Sequence, residues 1–442
     1  MVLFGLVSTW NYSSQLPADD FYQFWAVGRT IVSRPTANIY GEQERQRIGG
    51  ELFRFFSARG SSEAVMRSAN YRQVLEVYST PFLYSVFGLI AWGAYEATLL
   101  LYRIACLGIA SLAVMELCAL CSYSVTGTLL LLAFVVTWFG PLMADLEVGN
   151  VNAIQLGLLA AVLRTLNIPD RMTASFAAGV VLGFTVMFKP NLVFVPVLLA
   201  AIRIMERRVV ELGVLCIGLA VAVIVGLVFS IAMFGSLQCW IDWLGALRSM
   251  PDQIITTQMG NYALARVLLD WTGLRLSVLL VVICTGATLV CIGLGVYRSS
   301  GCRNASRDDC QSRERAFLLD ASAVAVGCLV YLLSAPLVWI HYYVLVLPTV
   351  AIALRPTLGQ DCDPQTAFCS KVLAGAALVG FAIHPLATLM GISSPLFFTL
   401  MFSSSAVILY WLGLRELSHV CHGLDTPPLT PSSTSDRTSK LV

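Results

Sequence analysis

Charge is scarce in this chain. Asp, Glu, Lys and Arg make up 12% of its 442 residues, about half the share found in a soluble globular domain. A surface wetted on all sides is therefore excluded. The charges nearly cancel, at a formal net +2, so there is no basic footprint for nucleic acid. Histidine occurs only four times. No HExxH helix, no GxSxG elbow and no phosphate-cradling P-loop occurs, so zinc-peptidase, serine-hydrolase and ATP-driven chemistry have no motif to stand on.

What fills the chain instead is apolar sequence. Hydrophobic residues reach 57% and the mean hydropathy is +0.76. Apolar runs of about 18 or more residues recur, long enough to cross a bilayer as helices. The runs are continuous rather than alternating, which excludes a β-barrel. Seven of the cysteines (Cys106, Cys118, Cys121, Cys216, Cys284, Cys291 and Cys328) lie within these runs and read as small hydrophobes. Cys302, Cys310, Cys362 and Cys369 fall in loops placed in the cytosol, where disulfides are rare. His419, Cys421 and His422 near the C-terminus lack a fourth metal ligand.

Four regions follow from the pattern. Residues 1–12 are apolar but too short to span, and read as a short or clipped first transmembrane segment. Residues 13–80 are polar, with eight arginines interleaved with Ile48, Leu52, Phe53, Phe55 and Phe56, the pattern of amphipathic helices at a membrane surface. Residues 81–415 hold the multi-span domain, with spans expected near 94–120, 125–142, 150–165, 173–188, 190–204, 211–234, 274–297, 316–334, 338–354, 372–390 and 394–414. The run 81–92 reads as an embedded helix that does not cross. Residues 416–442 form a Ser/Thr-rich tail, expected to be disordered and cytoplasmic. The expected fold is an all-α polytopic bundle of about twelve transmembrane helices, its first loop carrying short interfacial helices.

Arginine and lysine fix the orientation. Arg164 and Arg171, Arg203 to Arg208, Arg298 to Arg315, Arg355 with Lys371, and Arg415 fall in alternate loops, which are assigned to the cytoplasm. The polar residues that interrupt the apolar runs then gather on the opposite, non-cytoplasmic side. Asp19 and Asp20 open a helix-like stretch and suit either helix capping or proton abstraction. Asp145 to Asn152 is a turn between spans, whose Asn150 and Asn152 suit hydrogen bonds to a sugar or to the next helix start. Lys189, between two apolar runs, is a costly cation that reads as functional, with a phosphate as its natural partner. His341 stands with Trp339 and Tyr342 at the outer end of a span.

In this order the segments resemble glycosyltransferase family 87, polyprenyl-phosphate-mannose-dependent enzymes of the GT-C class of integral membrane proteins. Asp20-Phe21-Tyr22-Gln23-Phe24-Trp25-Ala26-Val27-Gly28-Arg29 with Ile39-Tyr40 is similar to the family's DFxxFWAAGR…Y opening. Tyr78-Ser79-Thr80-Pro81-Phe82 resembles its YPPF, Gly149-Asn150-Val151-Asn152 its GQxN and Lys189-Pro190 its KP. Gly260-Asn261-Tyr262 resembles a GNxS turn, and Pro336 to Tyr343 the PxxWxHYY segment. Asn150 stands where the family usually has Gln, and Ser79-Thr80 replaces the first proline and its neighbour.

The resemblance implies an inverting hexosyltransferase of the cell (inner) membrane, with its active site on the periplasmic side. The donor it implies is a sugar, mannose in the family, on a polyprenyl phosphate. The acceptor is a hydroxyl of a glycolipid, glycan or protein. Asp20 is the implied general base. Asp19, Arg29, Tyr78, Asn150, Asn152, Lys189, Asn261, Trp339, His341 and Tyr342 are the expected substrate-binding residues. No cofactor is required, because the sugar arrives on its lipid; a divalent metal held by Asp20, Asp145 and Glu147 is the minority possibility. Membrane lipids are partners and nucleic acid is not. A secondary transporter or lipid-linked-sugar flippase is the competing class; it calls for repeat symmetry and a midplane site, and the sequence shows no inverted repeat.

Overall fold

The computed structural model of the protein describes residues 17–35, 37–251, 256–257, 260–300, 309–356, 364–390 and 394–420, with isolated positions before residue 11. The described chain is helical, with a single isolated bridge, Asn261 to Trp339, in place of any strand. The expected cysteine positions 302, 362 and 421, and the tail beyond 420, lie outside the described residues.

Between residue 17 and the membrane domain lie α1 (Asp19–Ser33), α2 (Glu42–Ala58) and α3 (Glu63–Tyr71). Helix α1 is buried from Phe21 to Gly28. Helices α2 and α3 are amphipathic and bury only Ile48, Gly49 and Phe56, and Val65, Ser68 and Ala69, respectively. Helix α4 (Pro81–Ile90) packs against α1. Their approach is set by Gly28, where a Cβ would stand 2.7 Å from the backbone carbon of Phe87. At ten residues α4 is about 15 Å long, half the hydrocarbon thickness, so it cannot cross.

The remaining helices are α5 (Tyr95–Leu120), α6 (Val125–Trp138), α7 (Gly140–Val148), α8 (Asn152–Leu166), α9 (Arg171–Phe188), α10 (Phe194–Met205), α11 (Val209–Phe234), α12 (Gln238–Arg248), α13 (Leu264–Thr272), α14 (Ser277–Ser300), α15 (Asp309–Ser334), α16 (Leu347–Ala353), α17 (Pro364–Leu389) and α18 (Pro395–Val420). Seven are long and apolar enough to span: α5, α9, α11, α14, α15, α17 and α18. Helices α6 and α7 together make an eighth candidate, bent by 53° where Phe139 separates them and Pro141 begins the next turn.

About twelve crossings were expected, and the difference lies in helix length. The apolar segments expected near 150–165, 190–204 and 338–354 fold at close to their expected bounds, as Asn152–Leu166, Pro190–Met205 and Ile340–Ala353, and none of them is long enough to count as a spanning helix. A fifteen-residue helix such as α8 reaches only about 22 Å. An apolar run tells that a segment is buried, whereas its breaks at Gly149, Pro190 and the 340–346 segment decide how much of it is one straight helix.

The apolar surface fits a bilayer. Val221, Ile224, Val225 and Val228 on α11 and Val278, Val282 and Ile283 on α14 are exposed, apolar helix faces that water would penalise. The most enclosed long helix is α15, which packs against α10, α14 and α18. Helix α9 runs from Arg171 to Phe188, so Lys189 and Arg171 stand at opposite ends of it. At the Arg171 end, Arg203 pairs with Asp320 at 3.2 Å, and Arg208 pairs with Glu206, Glu211 and Asp320. At the Lys189 end lies a cavity lined by Asp20, Asn150, Lys189 and His341.

Candidate active site

The cavity has a volume of about 380 Å³. It is walled by α1, by the segments 71–80 and 148–151, by Lys189 and Pro190, by α12, and by residues 337–342. Six separate stretches of sequence thus supply one site.

Helix α1 presents Asp20. Its N-cap is Ala18, and both aspartates occupy the first turn, where the helix dipole favours negative charge. Neither caps the helix: Asp19 instead accepts a hydrogen bond from Ser68 Oγ of α3 at 2.8 Å. Asp20 turns to the cavity with its side chain 17% exposed. Its Oδ2 accepts from Asn150 Nδ2 at 2.6 Å and lies 4.0 Å from His341 Nε2. Its Oδ1 lies 3.5 Å from Arg72 and 3.5 Å from Gln23 Nε2.

The turn between α7 and α8 aims Asn150. Gly149 has φ of +68°, the left-handed region that glycine enters without strain. A Cβ there would stand 2.5 Å from the Phe21 Cβ, next to the catalytic candidate. The Asn150 amide has only one consistent orientation. Its Oδ1 accepts from Val151 N, Asn152 Nδ2 and Lys189 Nζ, so its Nδ2 must face Asp20. Tyr102 Oη donates to the Asn150 carbonyl at 2.6 Å and locks the turn from behind. Gly149→Ala is expected to cost over 1 kcal/mol of stability through backbone strain alone and to move Asp20. Activity should fall by about tenfold or more, while Gly108→Ala, where the added Cβ meets open space, keeps it.

Lys189 follows α9, where Pro190 ends the helix ladder. Thr80, before α4, donates to the carbonyls of Met187 and Phe188 at 2.8 and 3.1 Å and fixes this corner. Lys189 Nζ reaches Asn150 Oδ1 and Asn152 Oδ1, both at 3.3 Å, and sits 3.9 Å from the centre of the Tyr342 ring. These are long or weak partners for an ammonium, which therefore keeps attraction to offer an anion. Asn150 thus joins the carboxylate of Asp20 to the ammonium of Lys189.

The fourth wall is the 337–342 segment, held by the turn at residues 260–263. Asn261 Nδ2 donates to the Pro336 carbonyl at 2.9 Å, and its Oδ1 accepts from Val338 N at 2.9 Å. Tyr262 N donates to the Val338 carbonyl at 2.7 Å. Trp339, His341 and Tyr342 consequently line the cavity.

The expected site residues therefore divide. Asp19, Asp20, Tyr78, Asn150, Lys189, Trp339, His341 and Tyr342 line the cavity. Asn261 and Asn152 do not: the first is a buried strut, and the second is engaged with Asp145, Asn150 and Lys189. Arg29 is exposed and stacks on Trp25, 5.3 Å from its ring centre, in a separate groove between α1 and α2. It points there because about two and a half turns of helix separate it from Asp20, which puts the two side chains on opposite faces of α1. Asp145 does not turn to Asp20 either. Both its oxygens hold the start of α8, accepting from Asn152 and Ala153. Among the described residues no three His, Cys, Asp or Glu side chains come together as a metal site. Cys118 and Cys121 have Cys-x-x-Cys spacing at the end of α5, and both are buried and free. Sequence reading passed over Arg72 and Trp243. Arg72 is one of eight arginines in its region, and only burial separates it from the others.

Burial raises the pKa of the Asp20 carboxyl, opposed by Arg72, by the Asn150 hydrogen bond and by Lys189. Burial lowers Lys189 to about 8, against the pull of Asp145 and Asp20. A base at Asp20 is lost as pH falls through its raised value, and the ammonium is lost as pH rises through about 8. The pH profile of kcat/KM for the reaction catalysed here should be bell-shaped with its alkaline limb near 8. Lys189→Arg should remove that limb, because a guanidinium does not deprotonate in this range.

The model of glycosyltransferase family 87 matches residues 78–330, more than half of the chain. The chain belongs to glycosyltransferase family 87. It is a membrane glycosyltransferase by that membership. No curated protein and no solved structure matches the chain. The family match takes in Asn150 and Lys189, and the structure joins to them Asp20 and His341 from either side of the matched stretch.

Proposed function

We propose that this family 87 enzyme transfers a hexose, with mannose as the sugar that the resemblance implies, from a polyprenyl phosphate to a hydroxyl acceptor. The site then opens on the non-cytoplasmic side of the cell membrane, and the count of about twelve crossings adds the three segments 152–166, 190–205 and 340–353 and a first span before residue 13 to the seven long helices and the bent α6–α7 pair. The observation that carries this reading is the Asp20–Asn150–Lys189 chain in one cavity: a base and an unspent cation bridged by one amide.

The chemistry divides between them. The acceptor oxygen attacks the anomeric carbon on the face opposite the phosphate, and its bond forms as the carbon–phosphate oxygen bond breaks. Asp20 takes the hydroxyl proton, which becomes acidic as that bond forms. Lys189 meets the negative charge that grows on the departing phosphate. His341, whose Nε2 has no hydrogen-bond partner among the described residues, is at hand for a substrate oxygen. One displacement gives inversion at the sugar. Trp243, Leu247 and Met250 of the α12 wall supply apolar surface for the first isoprene units. The acceptor hydroxyl belongs to a glycolipid, a glycan or a protein.

The reading also rests on the arginine-rich ends of the helices. Arg171, Arg203 and Arg208 cluster at the end away from Lys189, as expected of a cytoplasmic face. The test is sugar transfer by the purified protein in lipid vesicles, with a polyprenyl-phosphate mannose against a nucleotide-linked mannose. Transfer from the lipid donor alone is expected. Transfer from the nucleotide sugar alone would overturn the donor assignment.

A further inference from the structure

Arg72 is the strongest charged group at the site that the reaction does not yet use. It follows α3 and is 6% exposed. Its guanidinium lies 3.5 Å from Asp20 Oδ1, pairs with Glu76 one turn on, and covers the Tyr71 ring at 4.8 Å. Unlike Lys189, it is already matched by a carboxylate that has no part in the chemistry, so little of its charge is left for a phosphate.

Its backbone is clamped as well. In α2, Gly49 lies against the 72–73 backbone so closely that a Cβ would stand 2.6 Å from the Arg72 carbonyl oxygen and 2.2 Å from that of Gln73. The next residue, Gly50, faces open space, with nothing within 4 Å of an added Cβ. The Gly49-Gly50 pair thus contains one glycine that the fold requires and one that it does not.

We propose that Arg72, clamped between Glu76 and the Gly49 contact, is a positioning residue for Asp20: it fixes Oδ1 and supplies the counter-charge of the buried carboxylate. This rests on the reading of Asp20 as the base. Asp20 is faced by Asp19 on its own helix, Arg72 and Glu76 from the segment after α3, Asn150 from the α7–α8 turn, Lys189 after α9, and His341 from the 340–346 segment. Of the two cations, Lys189 also answers to Asp145 and, in the reaction, to the phosphate. Arg72 is the cation assigned to Asp20 throughout.

The test reads Asp20 directly. In nanodiscs, the protonated-carboxyl infrared band that Asp20→Asn removes is titrated in the wild type, Arg72→Gln, Arg72→Lys, Gly49→Ala and Gly50→Ala. Loss of an adjacent opposite charge should raise the midpoint by about 1–3 pH units in Arg72→Gln. Gly49→Ala should raise it in the same direction, while Gly50→Ala and Arg72→Lys leave it near the wild-type value. The acid limb of kcat should move by the same amount, with donor KM changed less than about twofold. An unmoved band in both Arg72→Gln and Gly49→Ala overturns the proposal, and so does a rise in donor KM with an unmoved band, which would make Arg72 a phosphate ligand. The band needs no turnover, so failure of the donor assignment and failure of this role remain distinguishable. Gly49→Ala keeps every side chain of the site, which covers the case in which Arg72→Gln does not fold.

Discussion

Asp20→Asn should lower kcat for sugar transfer by about 10²–10⁴-fold, the usual contribution of a positioned general base. The substitution keeps the shape of the side chain and one carbonyl oxygen to accept from Asn150 at the 2.6 Å position. It removes the group that takes the proton. Donor KM should change little, because the proposed role of Asp20 is toward the acceptor hydroxyl and not the phosphate. Single-turnover transfer from a preloaded donor measures the step itself. Asp19→Asn is the matched control: Asp19 is held by Ser68 at 2.8 Å, outside the proton path, and its substitution should cost less than tenfold. Equal rates for the wild type and Asp20→Asn would remove Asp20 as the base.

Lys189→Met should lower kcat/KM by about 10²–10³-fold, the scale on which loss of one donor to a developing anion is felt. Methionine keeps much of the length and apolar stem of lysine, so the contact with Tyr342 survives while the charge is lost. The expected loss is larger than for an exposed cation because the site is enclosed and the Coulomb interaction less screened. The defect should deepen with donors whose leaving phosphate is the poorer leaving group, since those lean most on the cation. A loss confined to acceptor KM would place Lys189 on the wrong substrate. Asn150→Asp offers an internal check: a second carboxylate between Asp20 and Lys189 would attract the ammonium away from the phosphate.

How much of the site could be read from sequence follows from the kind of signal each residue gives. Lys189 was legible because a lysine between two apolar runs is costly and therefore retained for a reason. His341 was legible because histidine is rare here and this one stands at a helix end. Arg29, expected among the substrate-binding residues, lies outside this cavity because adjacency in a motif is not adjacency in space; about two and a half turns of helix after Asp20 carry it to the far side of α1. Asn261 looked like a sugar ligand and is a strut, since its amide is spent on the backbone of residues 336 and 338. Arg72 was invisible among eight arginines because charge along a chain does not reveal which one is buried.

The sequence by itself determined the solvent: with so little charge and so many apolar runs, only helices in lipid can satisfy the backbone. It also determined where the helices begin and end, to within a few residues for most, because Gly, Pro and charged residues interrupt the runs. Tertiary structure decided the path of the apolar segments, for a run of hydrophobic letters does not show the 53° bend after Trp138. It alone decided that Asp20, Asn150 and Lys189 form one hydrogen-bonded chain. Their separations of 130 and 39 residues along the chain carry no information about distance until the close packing of α1 on the Gly149 turn and the Thr80 tether at Lys189 bring them together.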